Sequence, residues 1–305
     1  KRYLEAARWM GNYERVVRTF GEPAAVYSFW GNSAALGVAT ATVRPPLVTR
    51  LNGYDLFSNR SPGGYAVGQR RIVEASERVV LASEAGLRYL RQQYEESHQR
   101  FFLARLGVPK QSVASPTPSS ETLSILSIAH VSPIKRLELV LSAVSILLSQ
   151  GIDAHWTHIG AGSGLEGIRK KAAQYGLTSC TTFVGHMQGG EGGLYPYLRR
   201  YSFDVAINTS GSEGGVPVSL QEALSFGIPI IATDVGGNSE VVRLSGGLLL
   251  GSDPTPQDVA AGLVTVVSER SRSVPGRRRH SARACQQAYF ENAAVSTWRH
   301  QRGSH

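Results

Sequence analysis

The sequence predicts an α/β protein built on parallel sheets and divided into two domains. Three observations carry this expectation. Apolar runs of strand length alternate with stretches of helical periodicity along the chain. Glycine and proline punctuate nearly every change of period. A polar stretch with two prolines, Gln111 to Glu121 (QSVASPTPSSE), separates two halves of similar rhythm, and 305 residues suffice for a core in each.

In the first half, AAVYSFWG, PLVTRLNG and RVVLASE read as short buried strands. ARWMGNYERVVRTFG, YAVGQRRIVEAS and AGLRYLRQQYEE carry helical spacing before, between and after them. The second half is clearer. LSILSIAHV is a strand, RLELVLSAVSILLSQG a helix ending at Gly151, and HWTHIG the next strand. A glycine loop and helix follow in GSGLEGIRKKAAQYG, then the strand TTFVGH and the helix GLYPYLRRYS. DVAINTS, PVSLQEALSFG and IPIIATD read as strand, helix and strand, before GLLLGS and a helix over Pro256 to Val267.

Composition narrows the function classes. Hydrophobic content of 42% and charged content of 18% describe a globular chain, and no apolar run approaches the roughly 20 residues that span a bilayer. Cys180 and Cys285 lack metal-type spacing, which points to free thiols in a reducing compartment. The net charge of +9 is uneven: residues 1–110 carry +7, residues 111–267 carry −4 and residues 268–305 carry +6. Basic ends, with Arg277-Arg278-Arg279 densest, fit an anionic membrane surface or a lipid diphosphate as well as a solvated helix start. Charge is the only feature favouring nucleic acid, and no recognition motif accompanies it, so no nucleic-acid partner is expected.

The densest chemistry lies in Thr209 to Val242, TSGSEGGVPVSLQEALSFGIPIIATDVGGNSEVV. Gly214 and Gly215 allow close backbone approach to a ligand, and Pro217 opens a helix closed by Gly227. Amides at such a helix start suit a diphosphate. Glu213 before the helix and Glu222 on it can accept sugar hydroxyls; the bland alternative is a strand–helix–strand unit with solvated glutamates. Lys135 follows the first strand of the second half, at the sheet edge where ligands bind in open α/β folds, and can neutralise a diphosphate. Read alone, Lys135 or Arg136 is more often a solvated helix-start cation. Gly162, Gly164 and Gly167 satisfy a dinucleotide fingerprint, but the next acid after Glu166 is Glu191, too far on to serve the ribose. With Gly160 they shape either another ligand loop or a plain turn. No Asp-x-Asp, phosphate-loop, serine-hydrolase or zinc-protease motif occurs, and the histidines form no metal cluster by spacing. His130, His155, His158 and His186 lie near strand ends, in core or cleft-lining positions.

Taken in order, VSPIKR around Lys135, THIGAG followed by FVGH, and SEGGVPVSLQEALSFGIPIIATDVGGNSE resemble the retaining glycosyltransferases of family 4. The wording is most similar to enzymes that build bacterial surface polysaccharides. The resemblance is close from Leu123 to Val242 and weaker on both sides. It implies the GT-B architecture, two facing domains with a donor cleft, and retaining transfer of a hexose from a UDP- or GDP-type sugar to a glycan or lipid-linked acceptor. It implies no cofactor beyond the nucleotide sugar as co-substrate, no metal, and a cytoplasmic enzyme with peripheral contact to the inner membrane face. Lys135 then binds the diphosphate, Glu213 contacts the transferred sugar and Glu222 the ribose, while Gly214, Gly215 and Val216 hold phosphate through their amides. Gly185 and His186 lie where the family lines its base pocket.

Departures from the pattern bear on these roles. Seven residues usually separate the two glutamates, whereas eight separate Glu213 from Glu222. His130 stands where an arginine often precedes the lysine, so neutralisation is expected to lean on Lys135 with Arg136 as helper. Asn52 replaces the histidine that relatives commonly show before Gly-Tyr-Asp. The resemblance divides the chain into a partial acceptor-side domain at 1–115, lacking the family's opening strand, a donor domain at 116–288, and a C-terminal helix at 289–305 that returns to the first domain. The alternatives are a nucleotide-sugar-binding protein without transfer, and an epimerase or phosphorylase of the same architecture.

Overall fold

The structure, a computed structural model, describes residues 2–61, 63–116, 118 and 120–272. The helix expected around Tyr289 to Trp298, the Arg277–Arg279 run and Cys285 lie outside them. The described chain forms two compact units. One comprises Lys1–Leu106 with Gly214–Val216, and the other runs from Gly107 to Glu213 and onward from Pro217. The polar stretch at Gln111 groups with the second unit: Ser115 donates to the Phe226 carbonyl through its amide and to the Tyr201 carbonyl through Oγ.

The first unit opens with helix α1 (Arg2–Phe20), strand β1 (Val26–Ser28), helix α2 (Ser33–Thr40) and strand β2 (Leu47–Leu51). Helix α3 (Gln69–Ala75), strand β3 (Arg78–Leu81), helix α4 (Glu84–Gln93) and strand β4 (Phe101–Leu103) complete it. The strands pair in parallel in the order β1-β2-β3-β4. Helix α2 and strand β4 were not read from the sequence. Helix α2, SAALGVAT, is small and apolar all round, so it carries no amphipathic signature. It is capped by Asn32 Oδ1, which accepts from the Ala34 amide at 3.0 Å. Helix α1 packs against it so closely that a Cβ on Gly37 would lie 2.8 Å from the Ala6 carbonyl oxygen.

The second unit begins with strand β5 (Leu123–Ile128), helix α5 (Leu137–Ser149), strand β6 (Ala154–Ile159), helix α6 (Leu165–Gln174) and strand β7 (Thr181–Gly185). Helix α7 (Leu194–Arg200), strand β8 (Val205–Asn208), helix α8 (Val218–Ser225) and strand β9 (Ile230–Thr233) follow. Helix α9 (Asn238–Ser245), strand β10 (Leu248–Leu250) and helix α10 (Pro256–Arg272) end the described chain. Six parallel strands are ordered β10-β9-β8-β5-β6-β7. Its core includes Ile125, Leu141, Leu147, Trp156, Val205 and Leu263. The α/β class and parallel sheets therefore agree with expectation. Among the described residues, no helix is long and apolar enough to cross a membrane.

The strand order positions everything that follows. Strands β5, β6 and β7 run outward in one direction and β8, β9 and β10 in the other, so the order reverses between β5 and β8. At such a reversal the loops leaving adjacent strands diverge and open a crevice at their carboxyl ends. The loop after β6 seals one side of this edge. A Cβ on Gly160 would lie 1.8 Å from the Ala129 carbonyl oxygen, and one on Gly162 would lie 2.3 Å from that of Val131. Gly160 and Gly162, two of the glycines expected to shape a ligand loop, are thus required by the protein's own backbone.

Gly160 also has φ of +151°. Gly160→Ala is expected to cost more than about 1 kcal/mol, a fall of at least about 2–4 °C in Tm. Gly167→Ala on α6, where a Cβ meets nothing within 4 Å, is the control. It should be neutral or raise stability by about 0.5–1 kcal/mol. Thermal denaturation of both variants checks the contrast.

Candidate functional site

Two chain segments meet at the β5/β8 edge. After β5, a single turn of 3₁₀ helix (Pro133–Lys135) leads into α5 through Arg136, which adopts φ 46° and ψ 43°. Arg136 is the one described non-glycine residue with positive φ. That conformation is unfavourable for a side chain bearing a Cβ, so surrounding contacts must hold it. They do. Arg136 Nε donates to the Thr209 carbonyl at 2.8 Å, Nη2 to the Ser210 and Ser252 carbonyls at 3.0 and 2.8 Å, and Nη1 to Asp253 Oδ1 at 2.8 Å. The guanidinium fork thus ties the loops after β8 and β10 to the start of α5. The expected diphosphate helper directs its donors into the protein itself. Thr209 Oγ1 returns a bond to the Lys135 carbonyl at 2.9 Å, and the Gly211 amide donates to Ile134 O at 2.8 Å.

This stitching brings Lys135 against Glu213. Lys135 Nζ lies 2.5 Å from Glu213 Oε1, and both side chains are mostly buried. The same oxygen accepts from Ser210 Oγ at 2.7 Å and from Asn208 Nδ2 at 3.1 Å. Burial pushes the Glu213 carboxyl up, but the Lys135 charge and the bonds from Lys135, Ser210 and Asn208 outweigh it and hold the group below the usual carboxylate range. Asn208 and Ser210 were not singled out from the sequence. Their only signal was polarity at a strand end, in DVAINTS.

Glu222 has the opposite environment. It is 8% exposed on α8, and its carboxylate has no hydrogen bond or ion pair among the described residues. A Cβ on Gly189, in the loop after β7, would lie 3.7 Å from Glu222 Oε1. Burial raises the carboxyl to about 7. Tyr195 on α7 is raised by its own burial and then by the Glu222 charge, which places the two near each other. His130 and His186 are exposed, while Gly185 takes φ +86° at the end of β7 and accepts from the Gly160 amide at 2.8 Å. Gly214, Gly215 and Val216 group with the first unit, where the Val216 amide donates to Ala82 O at 3.4 Å rather than standing free for phosphate. Ser83 Oγ likewise donates to Gly214 O at 2.9 Å. Among the described residues no group of three or more His, Cys, Asp or Glu is arranged to hold a metal ion.

His158, which the sequence left between core and cleft, is a core residue with no exposure. Trp156 Nε1 can only donate, and it donates to Ser127 Oγ at 2.9 Å. The Ser127 hydroxyl also bonds His158 Nδ1, 2.8 Å away. Burial holds the imidazole's pKa down at about 4, which keeps the ring neutral.

The sequence profile of the glycosyl transferases group 1 family matches residues 110–285, more than half of the chain. The chain belongs to this family. AmsK of Erwinia amylovora, an amylovoran biosynthesis glycosyltransferase, is 27% identical over 158 residues, covering 51% of this chain and 38% of its own length. WcaL of Escherichia coli strain K12, named for colanic acid biosynthesis, is 24% identical over 222 residues, covering 70% and 53%. The chain thus spans about half, or less, of these curated relatives. Two solved structures are similar in fold. The apo lipopolysaccharide outer core galactosyltransferase WaaB has a TM-score of 0.70 at 16% identity, over 95% of this chain and 80% of that one. Anabaena HepE in complex with UDP-glucose has a TM-score of 0.73 at 19% identity, over 94% and 79%. At these identities the likeness concerns the fold, which is of GT-B type.

Within this group 1 fold, Arg136→Ala removes a four-bond clamp and should cost about 2–4 kcal/mol. Arg136→Lys should not restore it, because an ammonium lacks the planar fork. Chemical denaturation measures both. For Glu222, the folded carboxyl titrates near 7 against an ordinary 4.5. Stability from the protonated form is therefore complete below 4.5 and lost as pH rises through 7. Glu222→Gln should raise stability at pH 8 by up to about 3 kcal/mol and change it little at pH 4, read from melting curves across that range.

Proposed function

We propose that the protein is a retaining, family 4-type glycosyltransferase that moves a hexose from a UDP- or GDP-type sugar to a glycan or lipid-linked acceptor. The second unit serves as the donor side and the first as the acceptor side. The observation carrying this reading is the Lys135–Glu213 pair at the β5/β8 edge, where an open parallel sheet receives its ligands. Membership in the group 1 family and the UDP-glucose held by HepE support the donor class.

In this reading the chemistry divides among named groups. Lys135 Nζ has three donors and gives one to Glu213, which leaves two for phosphate oxygens of the leaving diphosphate. A preorganised cation at that place stabilises charge as it develops on the leaving group. Glu213 receives all its bonds on Oε1 among the described residues, which leaves Oε2 to accept a hydroxyl of the transferred sugar. Glu222, buried and unpaired, gains the donors it lacks when ribose hydroxyls reach it. The leaving phosphate helps deprotonate the acceptor, and among the described residues no side chain is assigned as a separate general base.

A thermal-shift screen against UDP-, GDP- and ADP-sugars tests the donor site directly. Stabilisation by a UDP- or GDP-sugar is expected, and its absence for all three classes would remove the reading. Glu222→Ala should weaken donor affinity at least about tenfold by calorimetry, as for the loss of hydrogen bonds to a charged group. Lys135→Ala should mainly lower turnover. Product analysis by NMR should show an unchanged anomeric configuration, and inversion would refute retention. Donor binding without transfer or hydrolysis would favour a nucleotide-sugar-binding protein instead.

A further inference from the structure

We propose that the first unit carries a subsite for one pyranose ring of a neutral glycan, formed by Glu5, Trp9, Asn32, Ser33 and Tyr54. It rests on the acceptor side of the function proposed above, and names the chemistry that side would recognise. A cavity of about 260 Å³ lies between α1, the turn after β1 and the turn after β2. It therefore sits at the carboxyl ends of two neighbouring parallel strands, the edge where ligands bind in open sheets.

The walls of the cavity match the two faces of a sugar ring. A pyranose presents C–H faces that lie against aromatic rings, and an equatorial rim of hydroxyls that both donate and accept. Trp9 and Tyr54 supply the rings. Tyr54 is held in place by Trp30, stacked at 5.5 Å between centroids and 15° between planes. Trp30 in turn packs edge-on against Phe29 at 5.9 Å, and Phe29 against Tyr27 at 6.4 Å. All five aromatic residues are at least 38% exposed. Such a concentration of exposed rings marks a binding surface rather than scattered surface residues.

The polar wall is equally suited. Glu5 Oε2 accepts from Ser33 Oγ at 3.1 Å, which leaves Oε1 to accept a sugar hydroxyl. Asn32 uses Oδ1 to cap α2, so its amide nitrogen can donate to another. The turns that carry these groups are fixed from beneath by Asp55. Its Oδ2 accepts from the Gly31 amide at 2.8 Å, and its Oδ1 from the Asn52 and Gly53 amides at 3.0 and 2.8 Å. Glu5 is the only charged lining residue, so the cavity disfavours a phosphate or sugar acid, and its polar rim disfavours an acyl chain.

Saturation-transfer NMR on the full chain tests this, using the methyl α-glycosides of glucose, galactose, mannose and fucose. At least one should receive saturation, strongest at its ring C–H protons. Tyr54→Ala should abolish the transfer, and Glu5→Gln, at an exposed helix position, should weaken binding about tenfold, as for a lost bond to a charged acceptor. UDP affinity by calorimetry should stay unchanged in both variants. No transfer to any of the four glycosides, or equal transfer in wild type and Glu5→Gln, would overturn the subsite. UDP binding with no glycoside binding would sink this inference and leave the donor reading standing. Glycoside binding without UDP binding would do the reverse.

Discussion

The adjacency of β5 and β8 is the constraint on which the second unit depends. Both strands are parallel and central, so the segments leaving them must emerge at the same sheet edge. Lys135 and Glu213 are 78 residues apart in sequence, yet this pairing leaves them in contact. Nothing in either residue's local sequence demands that contact. It follows from the reversal in strand order, which separates the flanking helices and leaves the edge open between them.

The edge is held by bonds that cost the protein a strained residue. Arg136 sits in the left-handed region with a full side chain, and its guanidinium reaches three carbonyls and a carboxylate from two later loops. The strain and the clamp occur together: with the backbone turned this way, Lys135 reaches Glu213 while the fork of Arg136 reaches the loops. The two glutamates of one motif then separate by environment. Glu213 is ionised because a buried cation and two hydrogen-bond donors converge on one oxygen. Glu222 is raised because burial acts on it with no partner to oppose it. A carboxylate kept paired and one kept waiting are suited to different tasks, and spacing alone does not distinguish them.

Much of the fold was legible because period and punctuation act locally. The apolar runs that became β5, β6, β8 and β9 are buried on both faces, and the stripe on α5 packs on the sheet. Elements without a period of their own were missed: α2 is apolar all round, α9 spans eight residues between glycines, and β4 has three. The site was legible in its residue types and not in their partners. Glycines at 160 and 162 were visible, but the carbonyls of Ala129 and Val131 that exclude a side chain there were not. Asn208 and Ser210 looked like ordinary strand-end polar residues until Glu213 was placed beside them.

The sequence by itself determined the α/β class, the parallel strands, the order of the motifs and the identity of the charged groups near the sheet edge. These depend on side-chain periodicity and turn chemistry, which act over a few residues. Only the tertiary structure decided that Lys135 pairs with Glu213, that Arg136 closes loops rather than facing a ligand, that His158 is a neutral core group, and that Glu222 is buried without a partner. Each of those outcomes is set by atoms that approach from distant parts of the chain. Charge, hydrogen bonding and desolvation fall off within a few ångströms, so their balance at a residue is undefined until its neighbours in space are known.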